Sequence, residues 1–183
     1  MTRTEALDLL FEFTKTESLR KHAFAVEAAM RAYARKYDED GLYWGNIGLI
    51  HDFDYEMYPD EHPSKGSAIL AERGVPEEMR QIILGHASFS GVPRTTLAAK
   101  SLYAVDELCG FITAVTLVRP NKSLSEVSVK SVKKKMKDKR FAAKVDREEM
   151  ISGAGELGVE FDTHVEFVIN ALRSVAKDIG LNP

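Results

Sequence analysis

An adjacent His51-Asp52 pair ends a predicted apolar helix and is followed by an acidic loop. An imidazole and a carboxylate placed side by side can both bind one divalent cation. The same dipeptide also occurs at ordinary helix ends, where the carboxylate is only solvated. The pair therefore becomes a candidate metal site only if other ligands accompany it.

Four of the five histidines occur within 65 residues of one another, each at or near a predicted helix end. They are His22, His51, His62 and His86; the fifth, His164, is expected on a peripheral helix and is not a candidate ligand. Further along the chain, Asp106 shares a face of the longest apolar segment with Leu102 and Cys109. Because an unpaired buried carboxylate is costly, Asp106 requires a cation, a metal or strong donors.

Three of these histidines also have simpler explanations. His22 by itself could be an ordinary core histidine with satisfied hydrogen bonds. His62 lies on a loop between Pro59 and Pro63, where a surface histidine is common. His86 ends a helix, where an imidazolium interacts favourably with the helix dipole.

The candidate donors are imidazoles and carboxylates, and the single cysteine, Cys109, cannot supply a thiolate ligand set. This chemistry suits Fe, Mn, Co, Ni or Zn better than a structural zinc site built from cysteines. Six candidate ligands exceed the four that one tetrahedral ion requires. They are enough for one or two divalent transition-metal ions, with two ions sharing a bridging carboxylate.

The elements that must position these ligands are predicted to be helices. Apolar residues recur at three- and four-residue steps along the chain, and Thr2 and Glu5 have capping-box spacing. Gly41 is predicted to break the chain, and residues 127–132 are the only β candidate. The expected helices begin near Glu5 and continue with residues 18–34, 44–50, 64–73, 76–85, 95–118, 125–139, 147–157 and 162–179. We therefore expect an all-α fold with eight or nine helices.

Length and composition are those of an ordinary globular chain. With 183 residues, 44% hydrophobic and 29% charged, one domain spanning residues 1–183 with a sizeable core is expected. The longest uncharged apolar run, residues 110–118, is about half of a membrane span. The N-terminus has no apolar signal region. Together with the single cysteine, these features predict a cytoplasmic protein without a membrane partner.

Charge is distributed unevenly along the chain. Residues 119–147 contain eleven Lys or Arg and three acids, a net charge of +8, whereas the remainder has 14 basic and 25 acidic residues, a net charge of −11. Such a segment can attract phosphates or nucleic acid, or it can be a solvated helix face. Phe141 is its only aromatic residue, which disfavours single-stranded nucleic acid as a partner. We expect surface helices whose field attracts an anionic substrate.

The order of the candidate ligands resembles the HD superfamily of metal-dependent phosphohydrolases. The residues that carry the resemblance are His22, the His51-Asp52 pair, His62, His86 and Asp106, in the contexts 19–23, 48–52 and 104–108. The resemblance implies a compact HD-type helical bundle, with a metal-binding core over residues 16–118. Residues 119–183 carry no motif of that family and are expected to form a helical C-terminal extension.

The resemblance also implies roles for the ligands. His22, His51, Asp52 and Asp106 would bind a first metal, and Asp52 would bridge to a second metal held by His62 and His86. Two such ions activate water for attack on a phosphate. The expected reaction is hydrolysis of a phosphomonoester or phosphodiester, with a nucleotide or a related small molecule as substrate.

Two further residues are candidates for catalysis beside Asp52. Lys65, one helical turn after His62, could face the transferred phosphate, although an exposed lysine is the simpler explanation. Asp54 could orient a ligand or transfer a proton. Two other functions remain open: a catalytically idle, metal-containing nucleotide sensor, and a nucleic-acid-binding helical protein with incidental histidines. The sequence leaves the oligomeric state undetermined.

Overall fold

A computed structural model describes all 183 residues, which form nine α-helices and two short 3-10 helices. No β-strand is present, and the only β-type pairing is an isolated bridge between Ser123 and Asn182. The prediction of an all-α bundle is confirmed. The helices are α1 Arg3–Phe13, α2 Glu17–Lys36, α3 Gly41–Ile50, α4 Ser64–Glu72, α5 Glu77–Leu84, α6 Leu97–Leu117, α7 Val129–Met136, α8 Arg147–Leu157 and α9 Phe161–Arg173.

Helix N-caps explain where several helices begin. Thr2 and Glu5 form the expected capping box at the start of α1. The prediction that Gly41 breaks the chain is wrong, because Gly41 is the first residue of α3. The carboxylate of Asp40 accepts hydrogen bonds from the amides of Leu42 and Tyr43, which stabilises a helix start three residues earlier than apolar periodicity indicates.

The C-terminal extension contains less helix than expected. The segment 127–132 forms no strand, because its last residues belong to α7, which Ser128 caps. Three consecutive lysines occupy the last turn of α7, and the chain leaves the helix after Met136. Helix α9 ends at Arg173, and the chain then turns back through Gly180, whose φ of 75° suits glycine.

The core is built around α2, α3 and α6. Helices α2 and α3 approach closely because Gly48 has no side chain: a Cβ there would lie 2.9 Å from the main-chain oxygen of Val26. One cluster of 45 buried hydrophobic residues fills the interior, and it includes Val132 and Leu172 from the extension. The two parts of the chain thus share one core. No helix is long and apolar enough to span a membrane.

Helix α8 of the extension packs against α6. A Cβ on Gly153 would lie 2.7 Å from the Cα of Ala104, so only glycine permits this approach. The hydroxyls of Tyr103 and Ser152 hydrogen-bond at 3.0 Å across the same contact. The extension therefore folds back onto the helix that carries Asp106, although Arg119 follows that residue by about 20 Å of helix.

Candidate metal centre

Five segments bring the six candidate ligands together. Helix α2 carries His22, the end of α3 carries His51 and Asp52, the following loop carries His62, the turn after α5 carries His86, and α6 carries Asp106. The close α2–α3 contact at Gly48 sets the rings of His22 and His51 5.3 Å apart, and the rings of His51 and His86 are 5.2 Å apart.

His51 is fully buried and has an unsatisfied ring nitrogen. Its Nδ1 donates to the main-chain oxygen of Gly48 at 2.8 Å, so Nε2 carries the lone pair in the neutral ring. Nε2 makes no hydrogen bond and faces Asp106 Oδ1 at 3.3 Å and Asp52 Oδ2 at 3.4 Å. With His51 neutral, three acceptor atoms thus point at one another inside the protein, an arrangement that either a metal ion between them or a proton on Nε2 would satisfy.

His22 completes this first group. The ligand atoms of His22, His51 and Asp52 all lie within 4.8 Å of one another. Asp106 Oδ1 lies 2.9 Å from His22 Nε2 and 3.3 Å from His51 Nε2, so Asp106 adjoins the two histidines of this group.

The second group repeats the same pattern around the other oxygen of Asp52. Asp52 Oδ1 lies 3.3 Å from His62 Nε2 and 3.2 Å from His86 Nε2, and the two nitrogens are 3.3 Å apart. Nδ1 of His86 donates to the main-chain oxygen of Ile83 at 2.5 Å. Nδ1 of His62 donates to Asp54 at 2.8 Å. Both Nε2 atoms of the neutral rings therefore present lone pairs toward the same carboxylate oxygen.

These separations match the dimensions of a metal site. Donor atoms about 2.1 Å from a tetrahedral ion lie about 3.4 Å from one another. The three second-group distances of 3.2 to 3.3 Å, and the His51 distances of 3.3 and 3.4 Å, are close to that value. The two groups thus have the donors and the spacing to hold metal ions, and Asp52 belongs to both.

Asp54 orients a ligand of the second group. It is buried, and its Oδ1 accepts from His62 while Oδ2 accepts from the amide of Gly66 at 2.7 Å. A Cβ on Gly66 would lie 2.7 Å from the Asp54 carboxyl carbon, so the start of α4 fits around this carboxylate only with glycine there. A carboxylate behind a ligating histidine fixes the ring orientation and raises its basicity.

The electrostatics of the cluster favour positive charge. Burial lowers the pKa of His51, but the charges of Asp52 and Asp106 outweigh burial and hold this pKa well above its ordinary value. Burial also opposes ionisation of Asp52 and Asp106, yet interactions with His51 and neighbouring histidines hold both carboxyl pKa values well below their usual range. The cluster therefore stabilises a cation at its centre.

Glu107 directly follows the candidate ligand Asp106 and is an acidic neighbour of the candidate metal centre. Burial, together with the charge of Asp106, raises the pKa of Glu107 to about 7. Its carboxylate accepts a hydrogen bond from the amide of Asp146 at 3.2 Å, which ties the extension to the edge of the cluster. Asp146 is 39 residues away along the chain, so the spacing of residues in the sequence does not indicate this contact.

Lys65 makes no ion pair with any candidate ligand. Its ammonium lies over the ring of Tyr58, 5.3 Å from the ring centre. Tyr55 is the aromatic neighbour of the second group, with its ring centre 5.5 Å from that of His62. No sequence pattern indicated Tyr55, because its contact arises from the folding of the loop.

His164, which is not among the candidate ligands, is fully buried, so the expectation that it lies on a peripheral helix is wrong. Its Nδ1 accepts from the hydroxyl of Tyr33, and its Nε2 donates to the main-chain oxygen of Ala104 at 2.9 Å. His164 thus connects α9 to α2 and α6 as a satisfied core histidine.

No protein-family model, curated protein or solved structure matches this chain. The geometry of the two groups around Asp52 therefore carries the functional proposal.

Proposed function

We propose that this protein is a metal-dependent phosphohydrolase that cleaves a phosphomonoester or phosphodiester bond, with a nucleotide or a related small molecule as substrate. The observation that supports the proposal best is the division of Asp52 between two ligand groups, one oxygen facing each. The order of the ligands along the chain, which resembles the HD superfamily, supplies the expected reaction class. A cytoplasmic location is part of the same proposal.

The ligand chemistry favours Fe, Mn, Co, Ni or Zn, because imidazole and carboxylate donors suit these ions. Two divalent ions in such a centre supply an activated water and neutralise phosphate oxygens during in-line attack. Asp52 would set the separation of the two positions, and Asp54 would keep the His62 ring turned toward the second one. His51 is fully buried, whereas the side chains of His22, Asp52 and Asp106 are partly exposed, so the first group is open to solvent on one side.

No lysine or arginine makes an ion pair with the cluster, so the charge that neutralises the phosphate would come from the bound ions. We therefore assign Lys65 no direct contact with the phosphate in this proposal. Asp54 acts through His62, because both of its oxygens are already occupied by donors.

Metal analysis is the first test. Protein purified without a chelator or an affinity tag should contain close to two metal ions per chain, and His86→Ala should lower this number toward one while the fold is kept. Asp52→Ala should lower it toward zero, because both groups lose a ligand. Asp60→Asn, which changes an exposed acid in the same loop, is the matched control. One ion in both the native and the His86→Ala protein would favour a mononuclear centre.

Hydrolysis is the second test. The metal-loaded protein should cleave members of a panel of phosphomonoesters and phosphodiesters, and Asp52→Ala should reduce turnover to the uncatalysed background. Nucleotide binding without turnover would contradict the enzymatic proposal and favour the idle sensor. Binding to nucleic acid that weakens steeply with salt, without metal in the protein, would favour a nucleic-acid-binding helical protein with incidental histidines.

A further inference from the structure

A cationic turn joins α7 to α8 beside the candidate metal centre. This turn, residues 137–147 and here named the basic loop, contains five Lys or Arg and two acids, a net charge of +3. Arg147 holds its shape, because the guanidinium lies over the ring of Phe111 and donates to four main-chain oxygens of the loop. Those oxygens belong to Asp138, Phe141, Ala142 and Val145. The loop is thus folded around its own arginine and docked on α6.

Two contacts place the end of the basic loop at the edge of the metal centre. The amide of Asp146 donates to Glu107, the residue that follows a ligand of the first group. One turn further, Glu149 accepts from the hydroxyl of Ser88 at 2.7 Å, two residues after a ligand of the second group. The amide of Asp146 is thus separated from the carboxylate of Asp106 by one residue and one side chain, a distance on the order of 10 Å.

The loop presents unpaired positive charge at this place. Lys137, Lys139 and Lys144 are exposed and make no ion pair. With Arg147 they line a cleft of about 550 Å³, to which Asp146 and Glu148 also contribute, so its four cations exceed its two acids. The two acids of the loop are occupied by backbone amides: Asp138 accepts from Arg140, and Asp146 caps α8. The cleft therefore offers cations to an anion from solution.

Two lysines of α7, Lys133 and Lys135, already have partners, unlike the exposed lysines of the basic loop. Lys133 is paired with both carboxylate oxygens of Asp162 at 2.7 and 2.8 Å. Lys135 lies over the ring of Phe141, 4.5 Å from its centre, and the other side of that ring meets Phe111. These cations already have partners, and the only aromatic ring of the segment is covered. The loop can thus recognise charge but offers no free face for stacking a base.

We propose that the basic loop binds a second phosphate group of the substrate while the first lies at the metal centre. This inference rests on the proposed phosphohydrolase function. It specifies the substrate class as molecules that carry at least two phosphates, the second lying beyond the contact between Glu107 and Asp146 and so about 10 Å or more from the first.

A series of alkanediol bisphosphates of increasing chain length, each paired with its monophosphate, tests the proposal. The ratio of kcat/KM for bisphosphate over monophosphate should exceed one and reach its maximum at a phosphate spacing of about 10 Å or more. In the Lys139→Gln/Lys144→Gln variant this ratio should fall about five- to tenfold, the loss expected for two exposed charge contacts. The Lys133→Gln/Lys134→Gln variant removes two charges from α7 and should keep the native ratio.

The outcomes separate this proposal from the proposed function. Turnover of both probes with a ratio of one, or an equal ratio in all three proteins, overturns the second-phosphate site and leaves the hydrolase intact. If no probe is hydrolysed, calorimetric binding of the non-hydrolysable alkane bisphosphonates decides. Tighter binding to the native chain than to Lys139→Gln/Lys144→Gln supports the site without the reaction, and equal binding overturns it.

Discussion

His51 and His164 are both fully buried, and the partners of their ring nitrogens differ. His164, in the extension, has an acceptor for one nitrogen and a donor for the other, so the neutral ring is satisfied within the protein. His51, in the candidate metal centre, has one satisfied nitrogen and one that faces two carboxylates without a hydrogen bond. Burial alone therefore does not mark a candidate ligand, whereas an unsatisfied nitrogen beside carboxylates does.

The two regions also differ in what surrounds the imidazole. The environment of His164 consists of a tyrosine hydroxyl, a main-chain oxygen and apolar side chains, and burial lowers the pKa of His164. The environment of His51 is dominated by carboxylates, which raise its pKa despite complete burial. The environment of His164 disfavours an imidazolium, and the environment of His51 favours one. Measurements of stability and metal content can distinguish the two regions.

Metal removal should cause the largest change. An ion present at about 1,000 times its dissociation constant adds about 4 kcal/mol to stability, or about 10 °C in Tm for a chain of this size. A chelator should lower the Tm of the native protein by that amount, measured by scanning calorimetry. The Tm of the Asp52→Ala variant, which lacks the shared ligand, should not change when the chelator is added. Equal shifts in the two proteins would assign the effect to something other than the cluster.

Replacing the satisfied histidine should destabilise the protein without removing metal. His164→Leu leaves the hydroxyl of Tyr33 without its acceptor and deletes the donor to Ala104, a loss of about 2 to 3 kcal/mol measured by urea unfolding. His164→Gln, which can still donate to that oxygen, should lose less. The metal content of both variants should equal that of the native protein, and a decrease would make His164 part of the metal centre.

Changing the carboxylate behind His62 should weaken only the second group. In Asp54→Asn, one donor of the new amide must face either the ring nitrogen of His62 or the amide of Gly66. We expect roughly tenfold weaker binding of one ion, measured by competition with a chromogenic chelator. Asp60→Asn is the control. Loss of both ions, or of neither, would contradict the orienting role of Asp54.

The smallest predicted effect is a pH dependence. Because burial lowers the pKa of His164 in the folded state, the unfolded chain binds more protons once the pH falls below the ordinary value of about 6.5. Its contribution to stability is therefore complete above pH 6.5 and decreases as the pH falls toward the lowered pKa. Between pH 7 and 6 the native protein should lose up to ~1 kcal/mol more than His164→Gln. Parallel curves would mean that the pKa of His164 is the same in the folded and the unfolded chain.

Local interactions made much of the fold predictable from the sequence. Helix α8 was expected over residues 147–157 and has those bounds, because the Asp146 cap, apolar periodicity and a terminating glycine all act within a few residues. The capping box of α1 was predictable for the same reason. At the start of α3, apolar periodicity alone placed the first helical residue at 44, three residues after its position at Gly41.

The residue types and the order of the six ligands were also visible in the sequence, but their arrangement was not. That Asp52 directs one oxygen to each group, that Lys65 lies over Tyr58, and that His164 is buried rather than peripheral all follow from helix packing. Such contacts join residues up to 131 positions apart, and those between helices depend on close approaches such as the one at Gly48. Propensity and capping act along a few residues of chain, whereas the distance between two side chains on different helices is set only when the helices pack.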